Sequence, residues 1–405
     1  MVQVWEAWLC WLVPLAGAPT VFLADRAGRK ARDILALTFP LASLIFSAML
    51  LPRLFSLKIF EEELLWIPVP GFNPVSIGVL LDPLSIIMAN IVSFISFLIM
   101  VYSVKYMEHE QGVARYWFFM NLFIGGMLLL VLSNNFIFFL VGWKLVGLCS
   151  YALIGHYYRD EPEYWVGGPE PTPKYSPSYC GLKAWIVTSL GDTLLLGGLI
   201  LLFVYAGTAN FTELFQLAGE WLPEAALRPG MLTLIAVLLL SGPLGKSAQF
   251  PLHEWLPEAM AGPAPVSALI HAATMVKAGV YLVARFLPVF YYGYWTLGLG
   301  EALNFFLLAA GIGAFTALLA GSQAMVSLEL KKALAYSTVS QIGYMMLALG
   351  VAGFTPQALV YGYVAGLLHL ASHALFKASL FLGSGTVIHE AKSIYMHEMG
   401  GLRKY

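Results

Sequence analysis

The chain has 405 residues, of which 59 % are hydrophobic, 14 % aromatic and 11 % charged, with a formal net charge of −1 and a mean hydropathy of +0.77. Soluble globular chains carry about 25 % charged residues, so soluble enzymes and disordered scaffolds are excluded, and the near-neutral balance gives no electrostatic case for a nucleic-acid partner. Cys10, Cys149 and Cys180 have no CxxC spacing, so neither a disulfide framework nor a metal cluster is expected, and no cofactor is expected in this chain.

Crossing a hydrocarbon core about 30 Å thick takes about 20 mostly apolar residues. Runs of that length near 4–23, 34–55, 84–106, 114–133, 134–157, 181–206, 230–250, 260–288, 294–321, 334–353 and 356–388 predict an all-α polytopic membrane protein of about eleven spans. The first run has neither a basic n-region nor a small-residue cleavage site, so it is read as a span and not as a signal peptide. Between spans 2 and 3, Ser56 to Pro83 carries Glu61, Glu62 and Glu63 and then β-branched pieces split by Pro-Gly and Asn-Pro, which predicts a hairpin on the outer surface. Arg159 to Tyr179, with five prolines, reads as a non-helical cytoplasmic loop or docking surface. Residues 207–228 read as a short amphipathic helix at the outer interface.

Fourteen basic residues flank the spans on one side: Arg26, Arg29, Lys30, Arg32, Lys105, Arg115, Arg159, Lys174, Lys183, Lys331, Lys332, Lys392, Arg403 and Lys404. Four, Arg53, Lys58, Arg228 and Arg285, fall on the other. The positive-inside rule then places the N-terminus outside and the C-terminus in the cytoplasm, with the cell membrane as the location.

Four lysines, Lys144, Lys246, Lys277 and Lys377, lie inside spans, and Asp192 is the only carboxylate well inside one. A charge at mid-bilayer costs about 2.5–3.5 kcal/mol on insertion scales, so each demands a reason. His271 shares span 8 with Lys277, and His369, His373 and Lys377 follow one another every fourth residue on span 11, a spacing that aligns them on one helix face. Such a stripe suits proton transfer through a wet interior; with no acid or cysteine beside the histidines, it does not suit a metal. Around Lys246, Gly242-Pro243, Gly245 and Pro251 interrupt the span, which predicts a helix broken next to the lysine. Broken helices at that depth line cavities and mark ion sites.

The segments GKSAQFPLHEWLPEAMAGPAPVSALIHAATMVKAGVYLVAR, LELKKALAYSTVSQIGYMMLALG and HLASHALFKASLFLGSGTVIH, with LLDPLS, FFMNLFIGGML and LVGLCSYALIGHYY nearer the N-terminus, closely resemble the large L-type antiporter-like subunit of respiratory complex I. The same core is found in membrane-bound hydrogenases and multi-subunit cation/proton antiporters. The resemblance implies two inverted five-helix repeats, each with a broken helix, conducting protons along a central row of charged residues. Carried over by position, Lys246 is the broken-helix lysine, His271 the histidine of the next span, Lys331 and Lys332 the basic pair before span 10, His369, His373 and Lys377 the central relay, and Asp192 the acid on span 6. With Lys277 and Lys144 these form the expected proton relay. The implied organisation is helices 1–3 with the hairpin over 1–113, the first repeat over 114–290 and a partial second repeat over 291–405.

Two departures stand out. Where the resemblance implies a glutamate paired with the broken-helix lysine, GWKLVGLCS has Lys144. Two facing lysines repel, so either Asp192 is the substitute partner or Lys246 works without one; beside Lys144 itself no acid is expected. The family also continues past MGGLRKY with a second broken helix, so the chain reads either as a fragment or as one half of a split subunit completed by a second polypeptide. The implied function is proton translocation in a complex I-like NADH (or other donor):quinone oxidoreductase, with other membrane subunits and the lipid bilayer as partners and no redox chemistry in this chain. The alternatives are a subunit of a multi-subunit Na⁺/H⁺ antiporter and a non-conducting structural paralogue.

Overall fold

A computed structural model describes residues 4–56, 58–70, 73–168 and 172–401. Arg403, Lys404 and the end of the MGGLRKY segment lie outside the described residues, as do parts of the 56–83 and 159–179 connections.

Among the described residues nine helices are long and apolar enough to cross a membrane, or up to eleven when two bent pairs are counted. The first expected span divides into α1 (Trp5–Gly17) and α2 (Thr20–Ala27), bent by 51°. Pro19 at the junction has no N–H to continue the helical ladder. After α3 (Arg29–Met49) the expected hairpin forms from β1 (Phe60–Ile67) and β2 (Val75–Leu81), antiparallel with Phe60 opposite Leu81 and Leu65 opposite Ser76. The hairpin is anchored to the bundle by its acids, since the Asn134 side chain donates to Glu61 at 2.9 Å and to Glu63 at 3.2 Å.

In LLDPLS, Asp82 caps α4 (Pro83–Tyr106): its side chain accepts from the Ser85 amide at 2.8 Å, and its own amide donates to Ser85 Oγ at 2.9 Å. This reciprocal box with proline in the first turn is a strong helix start. Next come α5 (Val113–Leu132) and α6 (Phe136–Ile154), the latter capped by Asn135. Among the described residues, 159–176 are non-helical apart from one short turn and hold a two-residue ladder, β3 (Val166–Gly167) with β4 (Lys174–Tyr175), while the expected loop's last three residues already belong to the next helix. That helix is α7 (Pro177–Ala206). The single amphipathic helix expected over 207–228 is instead two, α8 (Phe211–Gln216) and α9 (Ala218–Ala226), with α9 turned 112° from α10 (Met231–Lys246).

After the short α11 (Trp255–Glu258), the eighth span is assembled from pieces: α12 (Ala264–Ala268), a π turn over Leu269–Ala273, and α13 (Met275–Trp295). Its most apolar stretch is wholly buried, so it forms the centre of the bundle. Three helices complete the fold, α14 (Leu303–Val326), α15 (Leu330–Val351) and α16 (Pro356–Ala391). α14 and α15 approach closely at Gly313 and Gly343, where a Cβ on either would stand 2.6 Å from the other's carbonyl oxygen; small residues permit such contacts where lipid supplies no hydrophobic drive. Arg285, counted above among flanking residues, lies within α13, its side chain buried against Asp82 and Tyr281. That pair ties the start of α4 to the central span.

Candidate functional site

α10 runs through Pro243 and stops at Lys246. The proline therefore does not itself interrupt the helix; the break is the irregular stretch 247–254 that follows. Proline removes only one ladder bond, and the end is held by other bonds: Ser247 N to Pro243 O at 2.8 Å, Gln249 N to Leu244 O at 2.9 Å and Trp255 Nε1 to Gly245 O at 2.9 Å. The lysine is thus the last helical residue, 1 % exposed.

Three helices meet at its tip. Asp192 of α7 accepts from Trp143 Nε1 at 2.6 Å on one oxygen and from Lys144 Nζ at 2.7 Å on the other, and Lys246 Nζ stands 3.7 Å from that second oxygen. The expectation that Lys144 lacks an acid is therefore corrected, because α6 turns Trp143 and Lys144 toward the same carboxylate from two sides. Asp192 is the partner of both lysines. The room for Lys246 is made by Gly147, where a Cβ would lie 2.5 Å from Nζ.

From the break the polar groups continue into α13. Ser247 Oγ donates to the carbonyl of Val276, the residue before Lys277, at 2.8 Å. Lys277 and His373 are both fully buried, and Nζ meets Nδ1 at 2.5 Å. The π turn that precedes Lys277 is closed by Thr274, whose N and Oγ1 both reach Leu269 O, at 3.1 and 2.8 Å. His271 sits in that turn with its ring centroid 4.5 Å from that of Phe381, and neither ring nitrogen has a protein partner. Lys246 Nζ and His373 Nε2 also lack hydrogen-bond partners within the protein, as does Gln249 Oε1. Buried polar atoms are almost always bonded, and these four side chains keep hydrogen-bonding capacity that no protein group takes up.

The α16 stripe diverges in its contacts. His369 Nε2 meets Gln341 Oε1 at 2.7 Å, while Lys377 donates to Leu334 O at 3.2 Å and to Ser337 Oγ. Of the basic pair, Lys331 turns inward to Met260 O and Gly262 O at 2.8 and 2.7 Å, whereas Lys332 turns back to Glu329 at 3.4 Å. Lys332 therefore does not share the inward contacts of Lys331. Beside Lys331 a cavity of about 680 Å³ opens between Tyr106, Glu110, Tyr157, His389 and Tyr395.

Sequence reasoning missed a buried acid next to the break. Glu258, 7 % exposed just beyond the break, accepts from Lys183 Nζ at 2.7 Å. Its only signal was a charged residue in the WLPEAM segment after Pro251.

The chain is a polytopic helical membrane bundle with lysines buried in and beside its broken central helices. The family described as "NADH:quinone oxidoreductase/Mrp antiporter, TM" matches residues 133–405, and "NADH-Ubiquinone oxidoreductase (complex I), chain 5 N-terminus" matches residues 66–117. The chain belongs to this NADH:quinone oxidoreductase/Mrp antiporter family. It is 40 % identical over 415 residues to the chloroplastic NAD(P)H-quinone oxidoreductase subunit 5 of Zygnema circumcarinatum, covering 98 % of this chain and 54 % of the relative. It thus spans about half the length of the curated relatives it matches. A chain of the Mrp complex from Dietzia sp. DQ12-45-1b superimposes with a TM-score of 0.77 at 32 % identity, over 96 % of this chain and 38 % of that one. A chain of the archaeal membrane-bound sulfane sulfur reductase gives 0.78 at 20 % identity, over 97 % and 73 %, a likeness of fold alone.

Proposed function

We propose that the chain is a proton-translocating subunit of a complex I-like donor:quinone oxidoreductase, moving protons along Lys246, Lys277, His373 and Lys377 while electron transfer takes place in other subunits. The observation that carries this reading is the 2.5 Å contact between the buried Lys277 and His373. An amine and an imidazole in contact can pass a proton between them whichever one holds it, and the nitrogens of His271 and His373 that have no protein partner are further sites able to take one. Asp192 serves as counter-ion to Lys246 and Lys144. Lys331, at the wall of the 680 Å³ cavity, gives the row access to the aqueous side opposite the hairpin. Residues 114–290 then form the first repeat and 291–405 part of the second, with the hairpin outside and the C-terminus cytoplasmic.

Replacing Lys246 by alanine in the assembled complex, reconstituted in vesicles, tests the reading. Pumping should be lost while assembly is kept, and His373→Ala and Lys377→Ala should behave alike; unchanged pumping in all three overturns it. A second reading, a subunit of a gradient-driven Na⁺/H⁺ antiporter, is favoured by the 32 % identity to the Mrp chain. Proton movement that depends on sodium and not on an electron donor would select it.

A further inference from the structure

The least expected group on the outside of the bundle is Lys144. It lies at the middle of the 19-residue α6, at least about 12 Å from either helix end at about 1.5 Å per residue. That is beyond the reach of a lysine stem, so the ammonium cannot snorkel to an interface. Yet its side chain is 49 % exposed. Val141 and Leu148, one turn to either side on the same helix face, are 41 % and 39 % exposed, and with Ile137, Leu140 and Trp185 they line a groove of about 510 Å³. A charge half uncovered in such an apolar groove is unlike the rest of the lipid-facing surface of α6 and α7, where Leu182, Ile186 and Leu190 are exposed.

The charge count points the same way. Asp192 Oδ2 is the shared partner of Lys144 at 2.7 Å and Lys246 at 3.7 Å, so one carboxylate faces two ammonium groups. Lys246 is enclosed; Lys144 alone has an open side from which a second carboxylate could approach. Acyl chains offer neither a charge nor a hydrogen-bond acceptor. Intramembrane charges pair with one another or face protein, and polar side chains bond across the interfaces of associating transmembrane helices.

We propose that the α6 face around Lys144 docks a transmembrane helix of a neighbouring subunit that sets an aspartate or glutamate carboxylate against Lys144 Nζ, its apolar residues one turn above and below packing on Val141 and Leu148. The inference extends the multi-subunit reading above, and its test reads contact, not transport, so the two fail separately.

A photo-reactive amino acid at Leu148, in the complete complex in its native membrane, should cross-link to another subunit at a transmembrane peptide with an acid within one turn of the adduct. Adducts only with lipid, with this same chain, or with an acid-free segment overturn the proposal. Lys144→Glu should lower the adduct yield on the order of tenfold, as for removal of one partner of a buried charge pair, and exchanging the mapped acid for lysine should restore it. Failure of that exchange to restore the yield refutes the pairing. If Lys144→Glu does not insert, Lys144→Met, which keeps the apolar stem, should also lower the yield several-fold, and an unchanged yield overturns the pairing.

Discussion

Gly147→Ala isolates the geometry at the tip of Lys246. The added Cβ would stand 2.5 Å from Nζ, while its next neighbours, Trp185 Cζ3 at 3.7 Å and Lys246 Cε at 3.9 Å, are at ordinary contact distance. Only the end of one flexible side chain must move, so folding should be almost unaffected and helix propensity slightly improved. Restoring a 3.4 Å contact takes a retreat of about 0.9 Å; taken up along the line to Asp192, this stretches the 3.7 Å ion pair to about 4.6 Å. At an effective dielectric of about 20 the attraction falls from about 4.5 to about 3.6 kcal/mol, and a loss of about 0.9 kcal/mol corresponds to about fourfold in an equilibrium. Proton uptake by reconstituted vesicles should therefore drop about fourfold with assembly unchanged. Thermal unfolding in detergent should be unchanged by Gly147→Ala, in the wild type and in a Lys246→Ala background alike. Undiminished uptake would refute the reasoning, and a loss of stability in both backgrounds would assign Gly147 to helix packing.

Lys277→Met and His373→Ala should each abolish most transport, and the double variant should be no worse than either single one, since residues acting through one contact are non-additive; additive losses would separate their roles. Asp82→Asn keeps a capping side chain on α4 but strands the buried Arg285, so thermal unfolding in detergent should show a loss of about 3–5 kcal/mol, and a loss below about 1 kcal/mol would mean the pair is effectively solvated. Burial raises the Glu110 carboxyl above its ordinary value, with Glu163 adding to the rise and a Tyr157 hydrogen bond opposing it. Its contribution to stability is therefore complete below the unfolded-state pKa and lost as pH rises through the folded one. Infrared difference spectra of wild type against Glu110→Gln should place its carboxyl band loss above the usual glutamate range, and a titration at or below that range contradicts the burial.

Local signals were the legible ones. The Pro-Gly and Asn-Pro pairs marked the β1–β2 hairpin, and the apolar runs located the long helices, because both are written within a few residues of where they act. Lys246 was placed beside a break, yet the break came after it and not at Pro243, since a helix in a packed bundle tolerates one missing bond that its neighbours compensate. The π turn over Leu269–Ala273 left no such mark: IHAATM contains neither glycine nor proline, and the turn is a product of what packs around it. The spacing of His369, His373 and Lys377 put them on one face but could not say that His373 would meet α13 while His369 and Lys377 meet α15. Lys277 finds His373 across 96 positions, a pairing that periodicity cannot carry.

Lys144 shows how a departure from family pattern reads differently in sequence and in space. On the sequence, exchanging a glutamate for a lysine opposite Lys246 removes an ion pair and creates a repulsion. In the fold, Lys144 approaches Asp192 from the membrane face while Lys246 approaches from the core, and both ammonium groups lean on the same oxygen. The charge at 144 therefore reaches Lys246 through Asp192, competing for a carboxylate that Trp143 holds in place from its other oxygen at 2.6 Å. Whatever draws Lys144 outward leaves more of Asp192 to Lys246, and whatever presses it inward leaves less. The exposed lysine is in that sense an input to the buried one, and the side from which it can be addressed is the one facing the groove between α6 and α7.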